Sequence, residues 1–171
     1  MKRWLMVAGM AALALLLAAA LGLCLRYYTF GLTRVTGTSM QGTLRDGDVA
    51  LVTRWDYRNG KAPKLGDVVE CRFPGREDAY IKRVAGLPGQ RAVIHSGVLY
   101  LDGRRVSEPY VSSFAKDWEM ALGEDQYLLL GDNRAESYDS RMPDIGPVNS
   151  GAFIGRVRYI VWPLRRAGVV K

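Results

Sequence analysis

Hydrophobic and polar positions divide the chain into two regimes. From Trp4 to Leu25 the 22 residues carry no charge and are dominated by Leu and Ala. As a helix they reach about 33 Å, the thickness of a bilayer's hydrocarbon core. Beyond them the apolar runs are short and separated by turn signals. Asp48 to Trp55, Asp67 to Phe73, Ala79 to Val84 and Arg91 to His95 have strand character. Val98 to Leu101 and Arg105-Val106 flank Asp102-Gly103, a two-residue hairpin signal. Gln126 to Leu130 reads as a buried strand, and Phe153 to Trp162 alternates until Pro163 stops it. No later segment sustains a period of 3.6 residues. The pattern predicts a mainly β fold, with an antiparallel β-sheet domain behind one N-terminal transmembrane helix. The expected divisions are an N-terminus at 1–3, an anchor at 4–25, a linker at 26–34 and a folded domain at 35–171.

The flanks of the first segment refine that expectation. Lys2 and Arg3 precede it and favour a cytoplasmic N-terminus, with the rest of the chain on the extracytoplasmic face of the plasma membrane. Arg26 beyond the segment weighs the other way. Trp4, Tyr27 and Tyr28 suit the two interfaces, where amphipathic rings settle. A cleaved signal peptide is the competing reading, and Ala18 to Ala20 would offer it a cleavage site. Its apolar stretch would normally be about 7–15 residues, shorter than this one. A lipoprotein site at Cys24 is a poor match because Leu23 is large. An uncleaved single-pass anchor is expected.

Charge and composition narrow the partners. With 24 basic and 17 acidic residues the formal net charge is +7, which suits anionic lipid headgroups and equally nucleic acid. No basic run is interleaved with stacking aromatics, and no zinc-finger or helix-turn-helix pattern occurs, so the lipid bilayer is the expected partner and nucleic acid is not. The single histidine, His95, rules out an HExxH zinc site and leaves little for metal chemistry; no metal or other cofactor is expected. Cys24 lies in the apolar run and Cys71 far along the chain, so no bridge between them is expected.

Two polar loops, Thr36 to Leu44 and Gly131 to Arg141, interrupt the strands. Such loops on a rigid β scaffold are where function concentrates. A serine hydroxyl in the first would need a base to become a nucleophile. His95 sits at the end of an alternating strand before a Ser96-Gly97 turn, where a half-exposed surface role fits it better than catalysis. A lysine kept neutral by burial could serve instead, as arginine could not. Lys82 lies within a strand whose alternation puts Tyr80, Lys82 and Val84 on one face, with Ile81 and Arg83 on the other. Taken alone, Ser39 is a turn serine and Lys82 a solvated strand lysine.

Four blocks in order give the pair its context. They are Ser39-Met40 with Thr43-Leu44; Gly66-Asp67-Val68-Val69 through Phe73-Pro74; Tyr80 to Val84 with Gly86-Leu87-Pro88-Gly89; and Gly131-Asp132-Asn133-Arg134 with Ser137, Asp139, Ser140 and Arg141. Together, from about Val35 to Pro163, they resemble the bacterial type I signal peptidases, membrane-anchored Ser-Lys serine proteases. The resemblance implies that Ser39 attacks the scissile carbonyl and that Lys82 takes its proton, then activates the deacylating water. The Ser39 N–H would supply one oxyanion donor. Ser137 would hydrogen-bond the lysine amine, while Asp132, Asp139 and Arg141 would brace its loop through ion pairs. Met40, Leu44, Tyr80 and Ile81 match or flank pocket positions. Exported preproteins, cut after small residues of Ala-X-Ala type, are the implied substrates, and a monomer is expected.

The chain departs from the family pattern in three places. Gly42 stands where proline is usual, which predicts a looser turn after Ser39. Gln90 replaces the aspartate after Pro88-Gly89, with a local hairpin effect expected. Gly37 stands where some members carry a serine that donates a second oxyanion bond and others have glycine, leaving Thr38 or a backbone amide as candidates here. A conjugation-associated or other specialised Ser-Lys processing peptidase, and a non-catalytic membrane-anchored β binding module, remain alternatives at this stage.

Overall fold

In the computed structural model, which describes residues 2–57 and 61–171, the apolar run forms helix α1, Lys2–Thr29. Its segment Met6–Leu23 is long and apolar enough to cross a membrane, and none of it is buried against the rest of the chain. The side chains of Lys2, Arg3, Cys24, Arg26, Tyr27 and Tyr28 lie outside the described residues. Residues 26–34, expected as a linker, instead complete α1 and then form strand β1, Phe30–Arg34. The helix therefore passes directly into the sheet, because a strand that finds a partner satisfies backbone groups that a linker would leave to water.

Ten further strands follow: β2 Val49–Thr53, β3 Val68–Arg72, β4 Ala79–Gly86, β5 Arg91–His95, β6 Val98–Leu101, β7 Arg104–Arg105, β8 Trp118–Ala121, β9 Leu128–Leu130, β10 Phe153–Trp162 and β11 Gly168–Val169. All pairings among them are antiparallel. A seven-stranded sheet runs β1-β2-β10-β3-β4-β9, with β11 on β10, and a four-stranded sheet runs β7-β6-β5-β8. The small sheet is built from two tight hairpins. Ser96-Gly97 and Asp102-Gly103 both have positive φ at their two central residues (50° and 79°, 50° and 77°), the backbone that matches strand twist in a two-residue turn.

Strand β10 is the spine of the larger sheet. It pairs with β2, β3 and β11, and register shifts at Val157/Tyr159 and Ile160/Trp162 bend it. The sheet curls enough for Thr33 on β1 to hydrogen-bond Glu70 on β3, across the two intervening strands. One core cluster, including Val35, Met40, Leu44, Val52, Val68 and Val157, fills the inside of that curl. A second, around Val69, Cys71, Val84 and Leu129, lies on the opposite face of β3 and β4. With both faces covered, anything polar on β4 must be buried and satisfied locally.

Candidate active site

The predicted alternation of β4 is realised. Tyr80 and Val84 pack with the Val69–Cys71 cluster, and Ile81 with the Val35–Leu44 cluster. Lys82 and Arg83, on opposite faces, are 3% and 1% exposed, so neither is a solvated strand residue. Lys82 lies opposite Val69 in the β3–β4 ladder. Burial drives its amine below the ordinary lysine range; the negative charges of Asp139 and Asp132 oppose that shift only in part. Its Nζ is 2.7 Å from Ser39 Oγ, within reach for proton transfer.

Ser39 is carried on a compact turn. Gln41 N–H donates to Thr38 O at 2.9 Å, and Thr43 and Leu44 N–H both donate to Met40 O, at 3.1 and 2.8 Å. Asn133 N–H reaches across from the second polar loop to Ser39 O at 3.0 Å. Among the described residues the Ser39 N–H meets no acceptor, which leaves it free for an oxyanion. The Thr38 hydroxyl is turned to Glu136 Oε2 at 2.9 Å.

Gly42 does not loosen this turn. Its φ is +121° and a Cβ there would lie 2.5 Å from Tyr110 O, so the position requires glycine and excludes proline. Ser112 Oγ–H donates to Gln41 O at 2.6 Å and holds the same contact from the other side. Residues 107–113, to which the sequence assigned no role, thus clamp the nucleophile loop. Gln90 behaves as expected of a local change: its Oε1 accepts the Leu87 N–H of its own turn at 2.8 Å.

The second polar loop departs from expectation in two respects. Asp132 does not pair with the Ser137 loop. It forms a bidentate, fully buried pair with Arg83 (Nε–Oδ1 2.9 Å, Nη2–Oδ2 2.8 Å). The Thr43 hydroxyl joins both partners, Arg83 also donates to Gly66 O, and its guanidinium stacks 3.6 Å from the Tyr110 ring. This network ties the nucleophile turn, the lysine strand and the last polar loop together. Asp139 and Arg141 form the expected pair (2.8 and 2.9 Å). Asp139 also accepts the Gly131 N–H, and Arg141 grips Arg134 O at 2.7 Å and Ser137 O at 3.4 Å.

The second departure is Ser137. Its Oγ is buried with no hydrogen-bond partner, so the bond to Lys82 is not made. The hydroxyl sits beside the dyad all the same. A Cβ on Gly131 would come within 2.2 Å of Ser137 Oγ and 2.4 Å of Ser39 O, so only glycine lets the two loops meet. An unpaired buried hydroxyl costs about 1–3 kcal/mol, a deficit found where a group awaits a partner.

A groove of about 450 Å³ opens at the dyad, lined by Thr33 to Thr36, Ser39, Met40 and Asp78 to Lys82. Met40, Tyr80 and Ile81 line it as expected. Leu44 does not: it is fully buried in the core beneath. Arg83, Asn133 and Tyr110 are the site residues the sequence reading missed or left without a role. An arginine following the lysine on the opposite face of a buried strand was the available signal for Arg83. His95 lies apart on β5, 2.9 Å from Asp117 and exposed. Cys71 is a free, buried thiol pushed up to about 12 by burial.

A serine hydroxyl held against a buried lysine at a groove in an antiparallel β scaffold is the constellation of a serine peptidase. The family described as signal peptidase, peptidase S26, matches residues 7–162. The chain is 32% identical over 162 residues to signal peptidase I of Bacillus licheniformis, covering 88% of this chain and 86% of that protein. It is 30% identical over 162 residues to signal peptidase I T of Bacillus subtilis strain 168, covering 88% and 83%. Its fold matches the crystal structure of a signal peptidase I from Enterococcus faecalis V583 with a TM-score of 0.52 at 27% identity, covering 57% of this chain and 97% of that one. The chain belongs to the signal peptidase family, peptidase S26, and is a membrane-anchored serine peptidase of the signal peptidase I type.

Proposed function

We propose that this protein removes signal peptides from exported preproteins, with Ser39 as nucleophile and Lys82 as general base. The observation that carries the reading is the 2.7 Å approach of a buried lysine amine to a loop serine hydroxyl. In the neutral state that burial favours, Lys82 Nζ accepts the Ser39 proton as Oγ attacks the scissile carbonyl. The developing oxyanion is met by the Ser39 N–H. The protonated lysine passes its proton to the leaving amine, and the neutral amine then activates the water that releases the acyl group. While Ser39 is acylated Lys82 loses its partner, and the unpaired Ser137 hydroxyl beside it is positioned to orient the amine. Asp139 and Arg141 act through Ser137, and Asp132 through Arg83, as positioning residues.

The groove supports the substrate class. Strand β9 pairs with β4 only from Arg83 onward, so Ala79 to Lys82 keep a free edge where an extended peptide can add as a strand. Met40, Tyr80 and Ile81 narrow the groove next to Ser39, which favours small side chains before the cut. The flanking charges of α1 favour a cytoplasmic N-terminus and an extracytoplasmic catalytic domain. Cleavage of a preprotein whose signal ends in Ala-X-Ala, by detergent-solubilised wild type beside Ser39→Ala and Lys82→Ala, tests the reading. Cutting after the last Ala by wild type, reduced at least 10³-fold in both variants, is expected. Equal cutting by all three would place the chemistry elsewhere.

A further inference from the structure

A cationic cavity lies outside the groove that the peptidase reading uses. Where α1 ends, Arg54 N–H donates to Thr29 O at 3.0 Å. The half-exposed ring of Trp55 meets Phe30 edge-on with centroids 5.0 Å apart. These contacts fix the turn after β2 at the exit of the helix. The next residues open a cavity of about 480 Å³ lined by Asp56, Tyr57, Lys61, Ala62, Lys64, Asp67, Arg156 and Arg158.

Four cations face two carboxylates in that cavity, and both carboxylates are committed. Asp56 binds Arg158, with Nε–Oδ2 at 3.2 Å. Asp67, buried, accepts from Arg156 at 2.9 Å, from Tyr57 at 3.0 Å and from the Lys64 N–H at 3.0 Å. Their pairing fixes the two guanidiniums in place. Lys61 and Lys64 form no ion pair among the described residues, which leaves the cavity a net charge of +2 by formal count. A cavity with preset guanidiniums and two uncommitted ammonium groups suits a phosphate oxyanion.

We propose that this cavity binds the phosphate of an anionic phospholipid headgroup and so holds the peptidase domain at the membrane surface. The lipid source rests on the reading of α1 as a membrane span. A helix that crosses the bilayer brings its last residue to the headgroup plane, and Phe30 and Trp55 supply the aromatic ring pair that interfaces favour. An adjacent cationic cavity then meets phosphate where it is most concentrated. Each lysine near an anionic surface contributes about 1 kcal/mol.

The test uses the full chain in a neutral detergent, with dihexanoyl phosphatidylglycerol, dihexanoyl phosphatidylcholine and inorganic phosphate as separate probes. Thermal unfolding is followed for wild type and for the double variant Lys61→Gln/Lys64→Gln. Both lysines are exposed and, among the described residues, without side-chain partners, so the variant should fold and cleave preprotein in micelles like wild type. Wild type should gain stability with phosphatidylglycerol and not with phosphatidylcholine, and the variant should bind it roughly 30-fold more weakly, the equivalent of two lysines. A phosphatidylglycerol shift unchanged in the variant would overturn the proposal. An equal, lysine-dependent shift with inorganic phosphate alone would overturn the lipid source. Preprotein cleavage in the same samples reports separately on the peptidase reading, which stands or falls without the lipid result.

Discussion

At Lys82 a single side chain carries two opposing demands. Its stem packs in a covered strand, and as the proposed base its amine would have to shed a proton to serve Ser39. Because burial lowers the amine's pKa in the folded protein, the neutral base becomes more abundant as pH rises through that depressed value. Cleavage should therefore climb about tenfold per pH unit on the acid side and level off above the lysine's folded pKa. The unfolded chain binds this proton more tightly, so stability should also rise with pH between the depressed value and the ordinary lysine range. A rate profile flat from mildly acid to alkaline pH would remove Lys82 as the base. Lys82→Arg should be as inactive as Lys82→Ala, since arginine stays charged.

Gly42 carries a second demand at the same scale. Installing the family's proline there would impose a φ near −65° on a backbone at +121° beside Tyr110 O. Gly42→Pro should lose about 3 kcal/mol in denaturant unfolding, the upper end of local backbone strain, and most of its activity. An unaltered midpoint would show that the 107–113 segment does not clamp the turn. Lys82 and Ser39 were legible from residue type and order within family-like blocks. The φ of Gly42 was not, because it is set by a carbonyl 68 positions along the chain.

At the scale of elements, the site is where three segments distant in sequence converge. The turn at 38–44, strand β4 and the loop at 131–141 share the buried Arg83–Asp132–Thr43 network. Removing one member of a buried pair leaves an uncompensated charge, so Asp132→Ala should cost about 3–5 kcal/mol. Arg83→Met/Asp132→Leu, which removes both charges, should be more stable than Asp132→Ala alone. Additive losses would mean that the network is not coupled. Strands β5 and β6, framed by tight turns, and β10, with its long alternating run, were readable with the bounds they adopt. Strands β1 and β8 are as long as β5 and β6 and still escaped, because no two-residue hairpin turn joins either of them to its partner, and β11 holds only two residues. Their pairing comes from neighbours instead.

For the whole molecule, α1 buries none of its apolar span against the domain, so anchoring and folding are separable. A form beginning at Phe30 should unfold within a few degrees of the full chain and cleave a soluble peptide at a similar rate. It should lose its preference for membrane-inserted preprotein. A large drop in its unfolding temperature would show that α1 supports the sheet.

What the sequence determined alone follows from local physics. A long uncharged apolar run reads as a membrane-crossing helix, period-two runs split by Gly and Asn or Asp make antiparallel strands, and serine and lysine in ordered blocks mark the candidate dyad. Only the tertiary structure decided which groups meet. It sent Asp132 to Arg83 and left Ser137 unpaired. It also sank Leu44 into the core and gathered Lys61, Lys64, Arg156 and Arg158 at the helix exit. Partners across the fold depend on sheet curl, bulges and burial from both faces, which are sums over many residues and leave no mark at any one of them.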